Sequence, residues 1–214
     1  VEGLRERGAV FVESIEGIPA GAAVVFSAHG IPPSVARMAE QKNLRAIDAT
    51  CPLVKKVHFR ARRYSREGRE IIIIGHEGHP EVEGTKGWID GPWHVVSTAE
   101  EVEQLVVHDP EAVAYVTQTT LSTKDTWTII AALKARFPAI AGPGVGDICY
   151  ATQSRQEAVQ QLAGRIDLLL VVGSRTSSNS NRLREVGERN GCRSYLIEDA
   201  GDVDPSWLRN VRIV

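Results

Sequence analysis

The run EIIIIGHEGHP (residues 70–80) decides the fold class. Four consecutive isoleucines give no alternation between an apolar and a polar face, which is the pattern of a strand covered on both sides, and the run ends in a loop of Gly and His. Three other stretches share that layout: AAVVFSAHG (22–30), AVAYVTQTT (112–120) and DLLLVVGSRTSSNS (167–180). Helix-period segments follow at or soon after three of the four: PPSVARMAEQ, TKDTWTIIAALKARF and SNRLREVGERN. Continuous apolar strands alternating with helices predict an α/β fold built on parallel sheets with both faces covered. Ligands of such sheets bind beyond the carboxyl ends of the strands, so the four polar loops are the first candidates for a site.

The chain has 214 residues, 43% of them hydrophobic and 24% charged, with a formal net charge of -2. That composition is globular and gives no net electrostatic reason to bind nucleic acid. No apolar run reaches the length of a membrane span and no leader pattern opens the chain, so a cytoplasmic protein with a small-molecule partner is expected. Cysteines at 51, 149 and 192 are odd in number and far apart, unlike a secreted disulfide framework.

An internal repeat runs through these elements. His79 and Glu81 lie 28 and 30 residues after Cys51, and Ser177 and Asn179 lie at the same offsets after Cys149. HVVSTAEEVEQL (94–105) resembles YLIEDAGDVDPSWL (195–208), with VFVESIEGIPAG (10–21) as a looser third version. VVFSAHG follows the first-placed copy, AYVTQTT the second, and VRIV begins a strand after the third. The expected architecture is therefore three pseudo-repeated modules: residues 1–51 as the second half of module one, 52–148 as the complete central module, and 149–214 as the first half of module three. Both ends read as cut, and a module-one cysteine is expected about 31 or more residues before Val1. A chain with two of three such cysteines is expected to be inactive by itself.

Three thiolates around a pseudo-threefold axis suit a four-iron cluster with one iron left open to substrate. Cys51 and Cys149 occupy matching repeat positions, whereas Cys192 has no counterpart and reads as a packed thiol. Pro52 suits the first position of a helix, where the dipole favours a negative ligand. His, Thr, Ser and Asn at the strand ends, SSNSN above all, suit a phosphate or diphosphate. His76 and His79 have zinc-like spacing on a helix, but Pro80 and two glycines argue against a helix there. Glu81 is a candidate buried proton donor. Asp147, His58, His94 and His108 have no partner in the pattern and read as structural.

The motifs VFSAHG, DATCPLVKKVH, GHEGHPEVEGT, VTQTTLS, DICYATQSRQEAV and VGSRTSSNSNRL, in this order, resemble the 4-hydroxy-3-methylbut-2-enyl diphosphate reductase family over nearly the whole chain. The resemblance implies a trefoil of three α/β modules around a central 4Fe-4S cluster. It implies removal of the substrate hydroxyl with two electrons and two protons, giving isopentenyl and dimethylallyl diphosphate, the last step of the methylerythritol phosphate route. Cys51 and Cys149 would be cluster ligands. His29, His79, Ser177, Ser178 and Asn179 would hold the diphosphate, Thr119 would stand near the substrate hydroxyl, and Glu81 would relay protons. An electron donor such as ferredoxin or flavodoxin is implied, with the plastid stroma replacing the cytoplasm for a plant protein. The family's N-terminal Gly-Phe-Cys segment and its C-terminal Ala-Ser-Ala-Pro-type segment are absent. Two other classes remain: a non-catalytic diphosphate-binding module, and a zinc hydrolase using His76, His79 and a thiolate.

Overall fold

The computed structural model describes residues 2–143 and 147–214. A short helix α1 (Glu2–Arg5) precedes β1 (Ala23–Phe26), α2 (Pro33–Gln41) and β2 (Arg45–Asp48). Then come α3 (Pro52–Arg66), β3 (Glu70–Ile74), α4 (Pro80–Lys86), β4 (Trp93–Val96), α5 (Ala99–Gln104), β5 (Val113–Thr117) and α6 (Thr123–Arg136). The remainder holds α7 (Tyr150–Ala163), β6 (Leu168–Val172), α8 (Ser178–Arg189), β7 (Arg193–Ile197) and two 3-10 turns.

The strands form three separate parallel sheets: β1 with β2, β3 between β4 and β5, and β6 with β7. An isolated parallel bridge joins Ala141 to Ala114 on the outer side of β5. Among the described residues no strand pairing crosses Cys51 or Cys149.

The isoleucine run behaves as its pattern requires. Ile72 and Ile74 face Val102 of α5 and Ile130 and Leu133 of α6, while Ile71 and Ile73 face Val57, Ala61 and Tyr64 of α3 and Val82 of α4. All four isoleucines are at most 1% exposed. Helices on both sides exclude water from both faces of the strand, which is why a parallel pattern without alternation is stable there. The first sheet differs. Phe26 packs with Ile15, Ala39 and Leu44, but the register partners Val25 and Ile47 are 63% and 62% exposed. Coverage on both faces, expected of every sheet, is thus met by the β4–β3–β5 sheet and not by β1–β2, which α2 covers on one side alone.

Two local expectations need correction, and the loose repeat copy departs from its match: residues 10–12, aligned with the strand at 94–96, form no strand and are exposed. Residues 211–214 likewise form no strand, although the Ile213 carbonyl accepts the Asp167 N–H at 3.0 Å just before β6. A helix does follow His79: α4 starts at Pro80, whose missing N–H costs nothing at the first helical position. It leaves both His76 and His79 outside the helix, so the zinc spacing still has no helical face to act from.

Replacing Ile72 by Ala opens a cavity beneath α5 and α6. The expected loss is about 2–5 kcal/mol in unfolding free energy, read as a lower urea midpoint by circular dichroism. A midpoint unchanged within error would mean that this face is not close-packed.

Candidate functional site at the strand ends

Cys51 and Cys149 occupy the same local structure. Each is the N-cap of its helix, α3 and α7, and neither thiol bonds to the helix it caps. The Cys51 N–H donates to the Ala28 carbonyl at 3.1 Å, and the Cys149 N–H donates to the Thr119 carbonyl at 2.9 Å. Ala28 and Thr119 both stand two residues beyond a strand, β1 and β5, so the spacing repeat is a geometric one. Both thiols are free and half-buried. Cys192 is buried at the start of β7, the amino end of the third sheet. A five-residue strand separates it by about 16 Å from the carboxyl end where Ser177 lies.

The Glu81 carboxylate sits in the first turn of α4, 2% exposed, and accepts the backbone N–H of Thr119 at 2.7 Å. Burial raises its pKa, and the bonds from Thr119 pull the other way without cancelling the effect. Thr119 therefore joins two candidates through the backbone of one residue, its N–H on Glu81 and its carbonyl on the Cys149 N–H. Its side chain is buried as well.

His79 caps α4, its Nδ1 accepting the Glu81 N–H at 3.2 Å. Any ring proton is then on Nε2. Burial, followed by the neighbouring His29 and His76, lowers the His79 pKa to about 4. The His29 ring meets the His79 ring edge-on at 5.7 Å, which brings the loops after β1 and β3 together. Across the site, Ser177 caps α8 through the Ser180 N–H, and Ser178 and Asn179 form its first turn. The Asn179 Oδ1 is buried without a hydrogen-bond partner, as is the Thr117 Oγ1.

Gln118 ties these loops together, and it was not singled out from the sequence. Its side-chain carbonyl accepts the His76 N–H at 3.1 Å, and its amide donates to Thr120 Oγ1 at 2.9 Å and Ser178 Oγ at 3.3 Å. The signal was its place in VTQTT, between two threonines at a strand end. Gly75 makes room for it, since a Cβ there would lie 2.7 Å from Val82 and 3.2 Å from the Gln118 oxygen.

His76 reaches Arg182 at 3.5 Å, and burial followed by that cation lowers its pKa. Among the described residues no three His, Cys, Asp or Glu side chains converge to hold a metal ion. The zinc arrangement of His76, His79 and a thiolate is therefore not assembled. The four groups read as structural have more partners than the sequence pattern offered. Asp147 is fully buried between Arg60 and Lys56, and Glu70 accepts from both His94 and His108. His58 stacks on Trp88 at 5.3 Å, and burial takes its pKa to about 4.

The LytB protein family model matches residues 1–214. The 4-hydroxy-3-methylbut-2-enyl diphosphate reductase of Aromatoleum aromaticum is 54% identical over the whole chain, which spans 69% of that protein. The reductase of Bordetella pertussis is 56% identical, with 66% of its length covered. A solved structure of the E-1-hydroxy-2-methyl-but-2-enyl-4-diphosphate reductase from Plasmodium falciparum superposes with a TM-score of 0.93 at 38% identity, over 98% of this chain and 66% of that one. The chain belongs to the LytB family and spans about two thirds of the length of these relatives.

Because burial raises the Glu81 pKa, the folded protein holds that proton more tightly than the unfolded chain. Its contribution to stability is complete below about pH 4.3, the ordinary glutamate value, and is lost as pH rises through the higher folded value. The variant Glu81→Gln keeps the acceptor for Thr119 and has no proton to lose. Its stability should fall less than that of the wild type between about pH 4.3 and neutrality, as followed by urea denaturation. Parallel pH profiles would show that Glu81 ionises in the fold as it does in water.

Proposed function

We propose that this chain carries most of the active site of a reductase that converts 4-hydroxy-3-methylbut-2-enyl diphosphate to isopentenyl and dimethylallyl diphosphate. The observation that carries the reading is the Thr119 backbone, which links the buried Glu81, its pKa raised by burial, to the candidate ligand Cys149. Proton delivery and electron delivery thereby converge on one strand end. In this reading the segments 1–51, 52–148 and 149–214 are three α/β modules, complete only in the middle, that meet around the site as a trefoil. Each sheet falling within one segment supports that division.

The donor set suits a cluster in part: two free thiols at equivalent helix N-caps, with the third cysteine of the sequence at the wrong end of its sheet. Cys51 and Cys149 would hold a 4Fe-4S cluster together with a cysteine that this sequence does not supply at a matching position. When bound, the cluster supplies the electrons and one Lewis-acidic iron for the substrate oxygen. His29 and His79 bind the diphosphate from one side. With Nδ1 engaged, neutral His79 offers Nε2–H to a phosphate oxygen. Ser177, Ser178 and Asn179 bind from the other side, where the open amides of the α8 N-terminus favour an anion. The Asn179 side chain, whose Oδ1 has no hydrogen-bond partner among the described residues, turns its NH2 to the ligand. Thr119 stands by the substrate hydroxyl, and Glu81 holds the proton that leaves with it. Two electrons and two protons turn substrate into product and water, and the electrons come from a carrier of the ferredoxin or flavodoxin kind. No described helix is long and apolar enough to cross a membrane. The cytoplasm, or the plastid stroma in a plant, is the proposed location.

Iron, sulfide and turnover measurements on the complete, anaerobically purified protein test this. Cys149→Ser should lose iron and Cys192→Ser should keep it. Glu81→Gln should keep iron and bind substrate, yet lose turnover by on the order of 100-fold or more. Retained iron in Cys149→Ser, or normal turnover in Glu81→Gln, would overturn the assignment. Diphosphate binding without any iron would favour the non-catalytic reading.

A further inference from the structure

Helix α3 begins at Cys51 and carries Lys55, Lys56, Arg60, Arg62, Arg63 and Arg66 without a single Asp or Glu, in a chain whose net charge is -2. Neighbouring carboxylates answer part of that charge: Asp48 pairs with Lys55, buried Asp147 with Arg60 and Lys56, and Glu67 with Arg63. Three carboxylates against six cations leave the helix positive. Arg66 has no ion-pair partner among the described residues, and Arg62 lies over the Trp88 ring at 5.8 Å. The exposed positions Pro52, Lys56, Phe59, Arg63 and Arg66 recur at intervals of four and three, so they form one stripe along the helix. It runs about 21 Å away from Cys51.

A merely solvated face has no use for a bare aromatic ring at its centre. Phe59 is 59% exposed, set edge-on to Trp88 at 5.7 Å. It borders a groove of about 400 Å³ whose walls include Phe26, Ile31, Pro33 and Trp88, with Arg37 and Lys55 set against Glu40 and Asp48. An aromatic anchor beside a mostly apolar groove, on a helix face that carries Lys56, Arg63 and Arg66, is the composition of a protein-binding surface for an acidic partner.

We propose that this stripe is where an acidic one-electron carrier protein docks, with Phe59 as its apolar anchor and Arg63 and Arg66 as its steering charges. The proposal rests on the reductase reading, which requires such a partner and ends the electron path at the Cys51 end of the helix. A spent carrier must leave before the next one arrives. The contact should therefore be small, fast and salt-sensitive, as positive charge around one anchor makes it.

The test is binding of two probes, an oxidised acidic 2Fe-2S ferredoxin and a flavodoxin, measured by calorimetry on wild type, Arg63→Glu/Arg66→Glu, Phe59→Ala and, as a control elsewhere, Lys134→Glu. Inorganic pyrophosphate binding is measured on the same samples. The charge-reversed variant should bind a carrier at least about tenfold more weakly, with wild-type affinity falling as salt rises from about 50 to 500 mM. Phe59→Ala should weaken binding, whereas Lys134→Glu and pyrophosphate affinity should be unchanged. If charge reversal unfolds the helix by circular dichroism, Arg63→Gln/Arg66→Gln replaces it with the same expected direction. Carrier binding that is indifferent to these substitutions would overturn the assignment of the surface. Pyrophosphate binding with no carrier binding would overturn the docking inference and leave the reductase reading standing, and loss of both in wild type would remove both.

Discussion

The backbone at the end of a buried strand must find partners that the sheet no longer provides, and Thr119 meets that requirement in a way that organises everything around it. Its N–H, beyond β5, is accepted by the Glu81 carboxylate; its carbonyl is taken by the N–H that opens α7. A buried donor left unpaired costs about 1–3 kcal/mol, so α4 and α7 cannot drift from β5 without paying that twice. Gln118 meets the same need one residue earlier for the His76 N–H and reaches Ser178 on α8. Satisfying three ordinary backbone groups, with the Gln118 amide left to reach Ser178, thus brings a carboxyl, a cysteine and a serine-rich helix start to one place.

The sheets and the cysteines were legible because both are written in spacing. A strand buried on both faces shows as an unbroken isoleucine run, and equivalent N-caps show as equal offsets to the following loop. What spacing does not carry is satisfaction at a distance. Gln118 looks like any polar residue in a loop until Gly75 and His76 are beside it. Asp147 and Glu70 look like surface acids until Arg60 and the pair His94 and His108 fold over them. Proline and glycine usually break helices, which hides the helix at Pro80 from a sequence reading, yet at the first position proline lacks only an N–H that the helix does not use.

Strand propensity by itself also proved insufficient at both ends of the chain. Val10, Phe11 and Val12 are as β-prone as the residues of β4, but no neighbouring strand of the described residues offers them a ladder, and they remain exposed. The same lack of a second layer leaves Val25 and Ile47 bare on the first sheet. Pairing and coverage, more than composition, separate these segments from the fully buried β3.

The strand pairs also set an order of events in time. Each pairs parallel strands, so each closes over a crossover: Ala23 finds Arg45, Leu168 finds Arg193, and Glu70 must find Val113. Contacts so far apart in sequence pay loop-closure entropy before they return any burial, which makes their formation slow. The β3–β5 ladder pays most and is repaid by two hydrophobic layers, so its amides are expected to exchange last, whereas the two-stranded ladders, with shorter crossovers and thinner cover, are expected to open locally. The candidate site residues are consequently divided between the doubly covered middle sheet, which holds Glu81 and Thr119, and the two thinner sheets, whose loops bring His29 and Ser178 to it.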